Sequence, residues 1–576
     1  MRINGHAHVF TLQSVLSKEA VGIMAGRLRR LGLRDFVVDA VAKVLSDQLD
    51  HPEYLVEDEL LVRFVRSMID ADGFDDFLRG HDLPVEIRTL GSGGAAGRLE
   101  ARLARAALDR LSSWIEANDG PGKSPFDVFE TLRIAMQPSI PRVTDKLLAH
   151  LEEDDAIVAL MMDITAPDEP ERDRRNFLGQ IRGTLDAVRA RPGRVLPFIA
   201  VNPRRSDHYP LMKRAIEEQG FVGVKLYPSL GYEVTTSKMK RVVKYCRRND
   251  VPIVIHATSG GFNKDAETAG YAHPKHWKDL FEAVEGGEGG GDPLRICFAH
   301  CGGWGGFCGR EPDHVEWADR ILGYMDEHPN VYADLSYHVD MAVEGGDVEA
   351  AYFDALADLL DGPHGDRIIF GTDSWLLRLN MDDAAYWAYF ESKVDADDFD
   401  RIARVNPARF LGLPLAEGDE PTPNVRRHIE WVERHASGVG AEPAAWLRAA
   451  SDARWTVVRS EPGWSRNNHA HVATYNHFRT QIPPRMRGDG FDDCAHIRLH
   501  QLFFFAGGDG PSDAKLRGNA RNLMSLCHAY GGVPEAGYDD EAIHARLLEV
   551  LADGGRTLAE TAASVDAMYL FSPEVV

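Results

Sequence analysis

Eight short apolar runs follow one another along the chain, and each ends in polar residues that a buried strand does not need. Charged segments with the spacing of amphipathic helices lie between most of these runs. The runs comprise residues 2–10, 156–165, 194–202, 220–228, 251–257, 294–300, 330–336 and 367–374. Strands that alternate with such helices are typical of βαβ units, so the pattern predicts a parallel sheet.

Eight strand–helix units predict a closed (β/α)8 TIM barrel of the α/β class. We assign this barrel to residues 1–10 and 151–415. The alternative is an open doubly wound sheet, in which a glycine-rich dinucleotide-binding motif often follows the first strand. No such motif follows residues 2–10, and the sequence therefore favours the barrel.

Two long segments fall outside the repeat. Residues 11–150 separate the first two runs by far more than one helix requires, and they contain helical patterns at 37–49 and 98–117. We predict that they form a helical insertion after the first strand that can cover the barrel mouth. Residues 416–576 begin with a linker-like segment and continue with further helical patterns. They are therefore expected to form a mainly helical C-terminal extension.

The composition restricts the partners and the location. The 576 residues carry 65 Lys and Arg against 89 Asp and Glu, a formal net charge of −24. A surface this acidic repels phosphate backbones, so we expect no nucleic-acid partner. The first residues lack the apolar core of a secretory signal, and no run of about 18 uncharged apolar residues occurs that would cross a membrane. Six cysteines without a CxxC pair predict no disulfide framework or structural zinc module, and a cytoplasmic protein is expected.

Several strand ends carry side chains that bind metals. The first run places His6 and His8 two residues apart, so both imidazoles point to the same side of a strand. The fifth, sixth and eighth runs end at or near His256, His300 and Asp373. Each residue alone is more often structural, but together they occupy the carboxyl ends of strands, where the catalytic residues of barrels lie. Histidines and a carboxylate around an open position suit Zn²⁺ or a similar divalent ion.

Over residues 1–10 and 150–415 the sequence resembles the amidohydrolase superfamily of metal-dependent (β/α)8 barrels. It is most similar to the amidohydrolase-related branch, family 2, which includes proteins like aminocarboxymuconate-semialdehyde decarboxylase. The segments that carry this resemblance are NGHAH at 4–8, GVKLYP at 223–228, IVIHA at 253–257, CFAHCGG at 297–303, FGTDS at 370–374 and RVNPARFLGL at 404–413.

The resemblance implies a role for each residue at the strand ends. It implies that His6, His8 and His256 bind the metal together with Asp373. It also implies that Asp373 orients or deprotonates the attacking water. In the family, the residue at the position of His300 is either a ligand of a second metal ion or a catalytic acid or base.

The state of Lys225 decides between one metal ion and two. The segment KLYP at 225–228, followed by TTS at 235–237, resembles dihydroorotase, in which a lysine at this strand end is carboxylated and bridges two metals. N6-carboxylation would turn the Lys225 ammonium into an anion that can bind two ions. The alternative is an unmodified Lys225 that binds a substrate carboxylate as a point charge.

Residues next to the strand ends are candidates for substrate binding. The two adjacent arginines among them can pair with an anionic group. For each candidate, ordinary packing or a surface role explains the residue equally well, and Asp163 and His338 are similarly ambiguous. The candidates are Arg204, Arg205, Tyr227, Trp304, Trp375 and Arg378.

Two further histidine pairs lie in the C-terminal extension. NHAHV at 468–472 nearly repeats the N-terminal motif, but no apolar strand precedes it. HIRLH at 496–500 lacks the glutamate of the HExxH metalloprotease helix. We interpret both pairs as surface or interdomain histidines.

Together these residues predict a metal-dependent hydrolase that activates water for attack on an amide, lactone or ester bond of a small molecule. We expect one or two divalent ions, Zn²⁺ or another, and no membrane partner. The first alternative is a metal-dependent decarboxylase of an aromatic or unsaturated carboxylic acid, in which His300 manages protons. The second is a non-catalytic barrel scaffold, although an intact ligand set disfavours it. The long helical additions are compatible with a homo-oligomer.

Overall fold

The computed structural model describes residues 1–50, 57–81, 98–119, 124–164, 170–285, 294–374, 377–415, 419–436 and 443–451. Some predictions concern residues outside these ranges, namely Trp375, the histidine pairs at 468–472 and 496–500, and most of the segment 416–576.

In the described part of the chain, eight parallel strands form one sheet in which each strand pairs with the next in sequence. Each strand overlaps one of the eight apolar runs, so the predicted strands are confirmed. Their residues are buried almost throughout, because helices cover the outside of the sheet while side chains fill its interior. The strands are Ile3–His8 (β1), Ala156–Leu160 (β2), Val195–Ala200 (β3), Gly223–Leu226 (β4), Ile253–Thr258 (β5), Ile296–Gly302 (β6), Val331–Asp334 (β7) and Ile368–Ile369 (β8).

The barrel closes between β1 and the residues around β8. The N–H of Gly5 donates to the carbonyl oxygen of Phe370 at 2.9 Å. Further along, the N–H of Asp373 donates to the carbonyl oxygen of His6, also at 2.9 Å. Gly5 permits this approach, because a Cβ at that position would lie 2.4 Å from Cγ2 of Ile369. The predicted TIM barrel is confirmed.

Between β1 and β2 the described residues form eight helices, as predicted for the insertion. They are Leu12–Val15 (α1), Lys18–Arg30 (α2), Asp35–Asp50 (α3), Glu57–Ile69 (α4), Phe74–Gly80 (α5), Arg98–Asp119 (α6), Pro125–Ala135 (α7) and Ile140–Leu148 (α8).

The helix α2 shows how the sequence sets these elements. It begins after Ser17, whose hydroxyl accepts a hydrogen bond from the N–H of Ala20 at 3.0 Å and so satisfies one free donor of the first turn. Its buried apolar residues include Val21 and Leu28, which lie seven positions apart on one helix face. The insertion helices build a core that is continuous with Phe262 beyond β5 and with other residues near the strand ends.

Helices follow the remaining strands on the outside of the barrel and continue after it. They are Pro170–Ala190 (α9), His208–Glu218 (α10), Ser237–Arg248 (α11), Ala266–Gly270 (α12), Lys278–Glu285 (α13), Pro312–Glu327 (α14), Asp340–Glu344 (α15), Gly346–Asp361 (α16), Asp383–Lys393 (α17), Ala396–Asp400 (α18), Asn406–Leu411 (α19), Pro423–Ala436 (α20) and Ala445–Ala450 (α21). No helix in the described ranges is long and apolar enough to cross a membrane.

Contacts divide the chain into two units. The first comprises Met1–Thr184, Gly193–His428 and Ala444–Ala450, and it contains all eight strands and α1–α8. The second comprises Leu185–Pro192, Ile429–Pro443 and Ser451–Val576. Every residue of the candidate site described below belongs to the first unit.

Candidate metal centre

Both histidines of β1 are buried and lie on the same side of the strand. His6 Nδ1 lies 2.9 Å from a carboxylate oxygen of Asp334, and His8 Nδ1 lies 3.4 Å from the carbonyl oxygen of Leu160. The short contact with Asp334 favours a proton on Nδ1 of His6, whereas His8 has an acceptor beside each ring nitrogen, because Asp373 lies at its Nε2. With both ring protons on Nδ1, each Nε2 has a free lone pair.

The two lone pairs face the carboxylate of Asp373. Its Oδ1 lies 3.5 Å from His6 Nε2 and 3.2 Å from His8 Nε2. Burial lowers the pKa of His6 to about 3 and also lowers the pKa of His8, so both rings are neutral. Burial raises the pKa of Asp373, but its contacts with His8 and His6 outweigh this effect and hold the pKa well below the usual range. In the tautomers with Nδ1 protonated, a cation among the two lone pairs and the carboxylate removes their mutual repulsion.

His256 of β5 and His300 of β6 form a second facing pair. His256 Nε2 donates to the carbonyl oxygen of Gly260 at 3.2 Å, and His300 Nδ1 donates to the carbonyl oxygen of Ser336 at 3.0 Å. The remaining nitrogens, His256 Nδ1 and His300 Nε2, are 3.1 Å apart and both present lone pairs. Burial also lowers the pKa of His256 well below its usual value. With these tautomers the pair offers two further lone pairs to a cation.

The donor set fits a divalent ion. The ligand atoms of His6, His8 and Asp373 lie within 4.8 Å of one another, and so do those of His6, His300 and Asp334. In the second group, Asp334 accepts a hydrogen bond from Nδ1 of His6, so its role is to orient this ring and not to bind the ion. Neutral imidazoles and one ionised carboxylate, with a cavity on one side, are the donors of catalytic zinc sites.

Asp334, at the end of β7, is a site residue that the sequence analysis missed. Its carboxylate accepts hydrogen bonds from His6 Nδ1 and from the backbone N–H groups of His300 and Ser336, at 2.9, 2.9 and 3.0 Å. The Ser336 hydroxyl also donates to it. Burial raises its pKa, but its contacts with His6 and His300 outweigh burial and keep it ionised. The signal for it in the sequence is the polar end of the seventh apolar run, residues 330–336.

His338, which the sequence left ambiguous, supports the same cluster from behind. Its Nε2 donates to the carbonyl oxygen of His300 at 2.8 Å, and its Nδ1 accepts from the hydroxyl of Tyr352 at 2.8 Å. Hydrogen bonds therefore hold both the N–H of His300, which donates to Asp334, and its carbonyl oxygen, which accepts from His338.

Lys225, at the predicted position on β4, lies within this cluster. It is only 1% exposed, and its Nζ is 3.3 Å from His6 Nε2. Burial lowers its pKa to about 8, against the opposing effect of Asp334 and Asp373. A lysine with such a pKa is partly uncharged near neutral pH, which is the form that reacts with carbon dioxide.

Three residues of the candidate site, together with Cys301 of β6, adopt left-handed backbone conformations that L-residues rarely take. The φ angles are 66° at His300, 59° at Tyr337 and 55° at Asp373. Such a conformation costs about 1–3 kcal/mol per residue and persists only where the surroundings enforce it. The hydrogen bonds around Asp334 and His6 supply that enforcement for the first and third of these residues.

A cavity of about 820 Å³ opens beside the donors. It is lined by His8, His256, His300 and Asp373 and by two of the predicted substrate-binding residues, Tyr227 and Trp304. The Tyr227 ring stacks on the imidazole of His256, with centroids 4.1 Å apart and planes at 9°. The structure therefore brings all the predicted ligands together and places these two aromatic residues next to them.

Three predicted or considered arginines do not line this cavity. Arg204 is exposed and donates to the carbonyl oxygen of Leu230 at 2.8 Å. Arg205 pairs with the buried Asp163, with its Nη2 2.7 Å from Oδ1. Arg378 pairs with Asp383 at 2.9 Å. Trp375 lies outside the described residues. Adjacency to a strand end in the sequence does not determine the direction of a long side chain, and each of these arginines finds a partner away from the cavity.

The fold is that of TIM barrels, and its strand ends carry the donors of a divalent-metal site. Residues 151–413 match the family model described as amidohydrolase. This match confirms the predicted resemblance to amidohydrolases over these residues. No curated protein matches the chain.

Several solved structures are similar to this chain. An amidohydrolase from Burkholderia multivorans shares 16% identity, covering 53% of this chain and 95% of its own, with a TM-score of 0.34. The 2,6-dihydroxybenzoate decarboxylase from Rhizobium shares 18%, covering 46% and 86%, with a TM-score of 0.31. A putative 2-pyrone-4,6-dicarboxylic acid hydrolase from Pseudomonas putida shares 15%, covering 46% and 86%, with a TM-score of 0.32.

Proposed function

We propose that this protein is a metal-dependent hydrolase that cleaves an amide, lactone or ester bond of a small molecule. The observation that carries the proposal is the convergence of neutral histidine lone pairs on the ionised Asp373, beside a cavity large enough for a small substrate. His6, His8, His256 and Asp373 would hold the ion, with His300 next to them.

A bound divalent ion would supply polarisation of the substrate carbonyl and a lower pKa of water at the site. The chain supplies the rest. The ionised Asp373 lines the cavity and accepts a proton from the attacking water. Asp334 holds the tautomer of His6 that keeps Nε2 free, and Tyr227 fixes the plane of His256 by stacking.

Lys225 sets the number of ions in this proposal. A carboxylated Lys225 would bridge two ions, and its buried Nζ, 3.3 Å from His6 Nε2, supports that role. Metal content per chain and the mass of the peptide that contains Lys225, measured after growth with and without added bicarbonate, test this point. Two ions together with a mass increase of one carboxyl group support the binuclear hydrolase.

A second candidate is a metal-dependent decarboxylase, favoured by the aromatic lining of the cavity. Phe10, Phe262 and Trp304 line it together with Tyr227. Such walls suit the flat body of an aromatic or unsaturated acid. One ion with an unmodified Lys225 supports this candidate. Release of carbon dioxide, against incorporation of ¹⁸O from labelled water, separates the two reactions.

Metal analysis of matched variants tests both candidates at once. We expect the purified protein to contain a divalent ion and the variant His8→Gln to lose most of it, because a lone pair at the centre is removed or displaced. His364→Gln is the control, since this histidine pairs with Asp326 at 2.8 Å outside the cavity. A protein that holds no divalent metal after purification without chelator, and shows no turnover with Zn²⁺, Mn²⁺ or Co²⁺, would contradict the proposal.

A further inference from the structure

The insertion contributes one buried cation to the cavity of the candidate site. Arg27 of α2 is 9% exposed and lines this cavity. Its Nη1 is buried without a hydrogen-bond partner among the described residues, and no ion pair of Arg27 occurs there. A guanidinium taken out of water is unfavourable unless an anion or an acceptor pairs with it. The position of Arg27 therefore indicates an acceptor that comes from the ligand.

A second donor lies next to Arg27. Tyr337, which follows β7, also lines the cavity, and its buried hydroxyl has no hydrogen-bond partner in the described part of the chain other than the Arg27 guanidinium beside it. The Arg27 guanidinium carbon lies 5.8 Å from the centroid of the Tyr337 ring. Burial raises the pKa of Tyr337, so the hydroxyl remains a donor. The left-handed backbone at Tyr337 is a strained conformation, of the kind that clusters at functional sites.

The other walls limit the kind of anion that fits. Leu12, Leu16 and Met24 line the cavity on the side of the insertion. Of the acidic residues that line the cavity besides Asp373, Asp265, Asp313 and Glu316 are exposed, whereas Asp340 is half-buried and lies near enough to Arg27 to interact with its charge. Exposed carboxylates disfavour a ligand with several negative charges, such as a phosphate ester. One guanidinium with two planar N–H groups, beside one hydroxyl, suits a single carboxylate.

We propose that Arg27 and Tyr337 form a carboxylate-binding subsite, through which the insertion selects small monocarboxylic acids with an apolar or unsaturated body. This inference rests on the proposed function in one respect, namely that the cavity is the substrate site. It assigns the insertion a part in substrate selection, and it gives both candidate reactions the same substrate class.

Binding of a charged and a neutral probe to the full chain tests this subsite. We choose benzoate and its uncharged analogue benzamide, measured by calorimetry with protein freed of metal by chelation and again with Zn²⁺ restored. Metal-free protein separates binding by Arg27 from binding of the carboxylate to an ion. Wild-type protein is expected to bind benzoate more tightly than benzamide in both states.

The variants follow from the contacts. Arg27→Gln should raise the dissociation constant of benzoate about 10- to 100-fold, as expected for loss of a charged hydrogen bond, and change that of benzamide less than about twofold. Tyr337→Phe removes only the hydroxyl and should weaken benzoate about three- to tenfold. Arg29→Gln is the control, because Arg29 belongs to the same helix but pairs with the exposed Asp35 and Asp39.

Several outcomes overturn the subsite. These are an unchanged benzoate affinity in Arg27→Gln, an equal loss for benzamide, and no benzoate binding by the wild-type protein. If Arg27→Gln does not fold, Arg27→Lys and Tyr337→Phe decide, since Lys keeps the charge but loses the planar pair of donors. If the wild-type protein neither contains a divalent metal as purified nor takes one up, but still binds benzoate through Arg27, the proposed function is refuted and the subsite stands. If Arg27→Gln still binds metal and its affinity for benzoate is unchanged, the subsite is refuted and the proposed function stands.

Discussion

Asp334 offers the sharpest test of how the metal centre is held. In the variant Asp334→Asn, the amide oxygen can keep the bonds from the N–H groups of His300 and Ser336, because both are made to Oδ1. The amide nitrogen then takes the place of Oδ2, where His6 Nδ1 donates at 2.9 Å. Two donors face each other there, so the proton of the ring must move to Nε2. That is the nitrogen with which His6 would bind the ion.

The expected loss follows from this change of tautomer. Removal of a partner that orients a metal-binding histidine typically lowers metal affinity about 10- to 100-fold, which corresponds to about 1.4–2.8 kcal/mol. The assay is competition for Zn²⁺ with a chromogenic chelator, supported by circular dichroism to show that the barrel is folded.

The chain contains a matched control. Asp326→Asn alters another carboxylate–histidine pair, Asp326 with His364 at 2.8 Å, but this carboxylate is 63% exposed. Exposed pairs contribute little, so its zinc affinity should equal that of the wild type. If Asp334→Asn folds and binds zinc as tightly as the wild type, Asp334 does not orient His6, and the assignment of Nε2 as the free nitrogen fails.

Two further predictions concern stability, measured by urea unfolding. Gly5→Ala should destabilise the barrel by about 1–3 kcal/mol or more, because its Cβ would lie 2.4 Å from Ile369 Cγ2. Gly22 lies in a helix, and a Cβ added there would have no atom within 4 Å, so Gly22→Ala should instead stabilise the protein by about 0.5–1 kcal/mol. Arg205→Met should cost about 3–5 kcal/mol, since it leaves the buried Asp163 carboxylate without its bidentate partner, and it should not change metal content. An Arg205→Met protein of wild-type stability, or a Gly5→Ala protein as stable as Gly22→Ala, contradicts the respective argument.

The strand pattern and the ligands could be predicted because both depend on local sequence. A buried strand needs a run of apolar residues, and a parallel barrel brings the carboxyl ends of all its strands to one edge. Polar residues at those ends, such as His256 and Asp373, therefore meet in space without any knowledge of long-range contacts. The same argument applies to Asp334, which ends the seventh strand.

The burial and direction of arginine side chains, by contrast, could not be predicted from the sequence. Arg27 lies in an amphipathic helix, where its spacing from neighbouring residues resembles that of an ordinary surface arginine. Its burial in the cavity depends on how the insertion packs around Phe10 and Phe262, which no local pattern encodes. Conversely, Arg204 and Arg378 are adjacent to strand ends but find partners elsewhere. The domain boundaries assigned from the sequence remain predictions.

The closure of the barrel at β1 also has a consequence for the order of assembly. Asn4 Oδ1 accepts a hydrogen bond from the N–H of Thr372, across 368 residues of sequence. At a synthesis rate of about 5–20 residues per second, the first histidines leave the ribosome roughly 20–70 s before Asp373 is made. A nascent fragment therefore presents His6 and His8 without their carboxylate partner. An ion bound at the finished site would stabilise the complete barrel by mass action, and this contribution would be absent until Asp373 has been added.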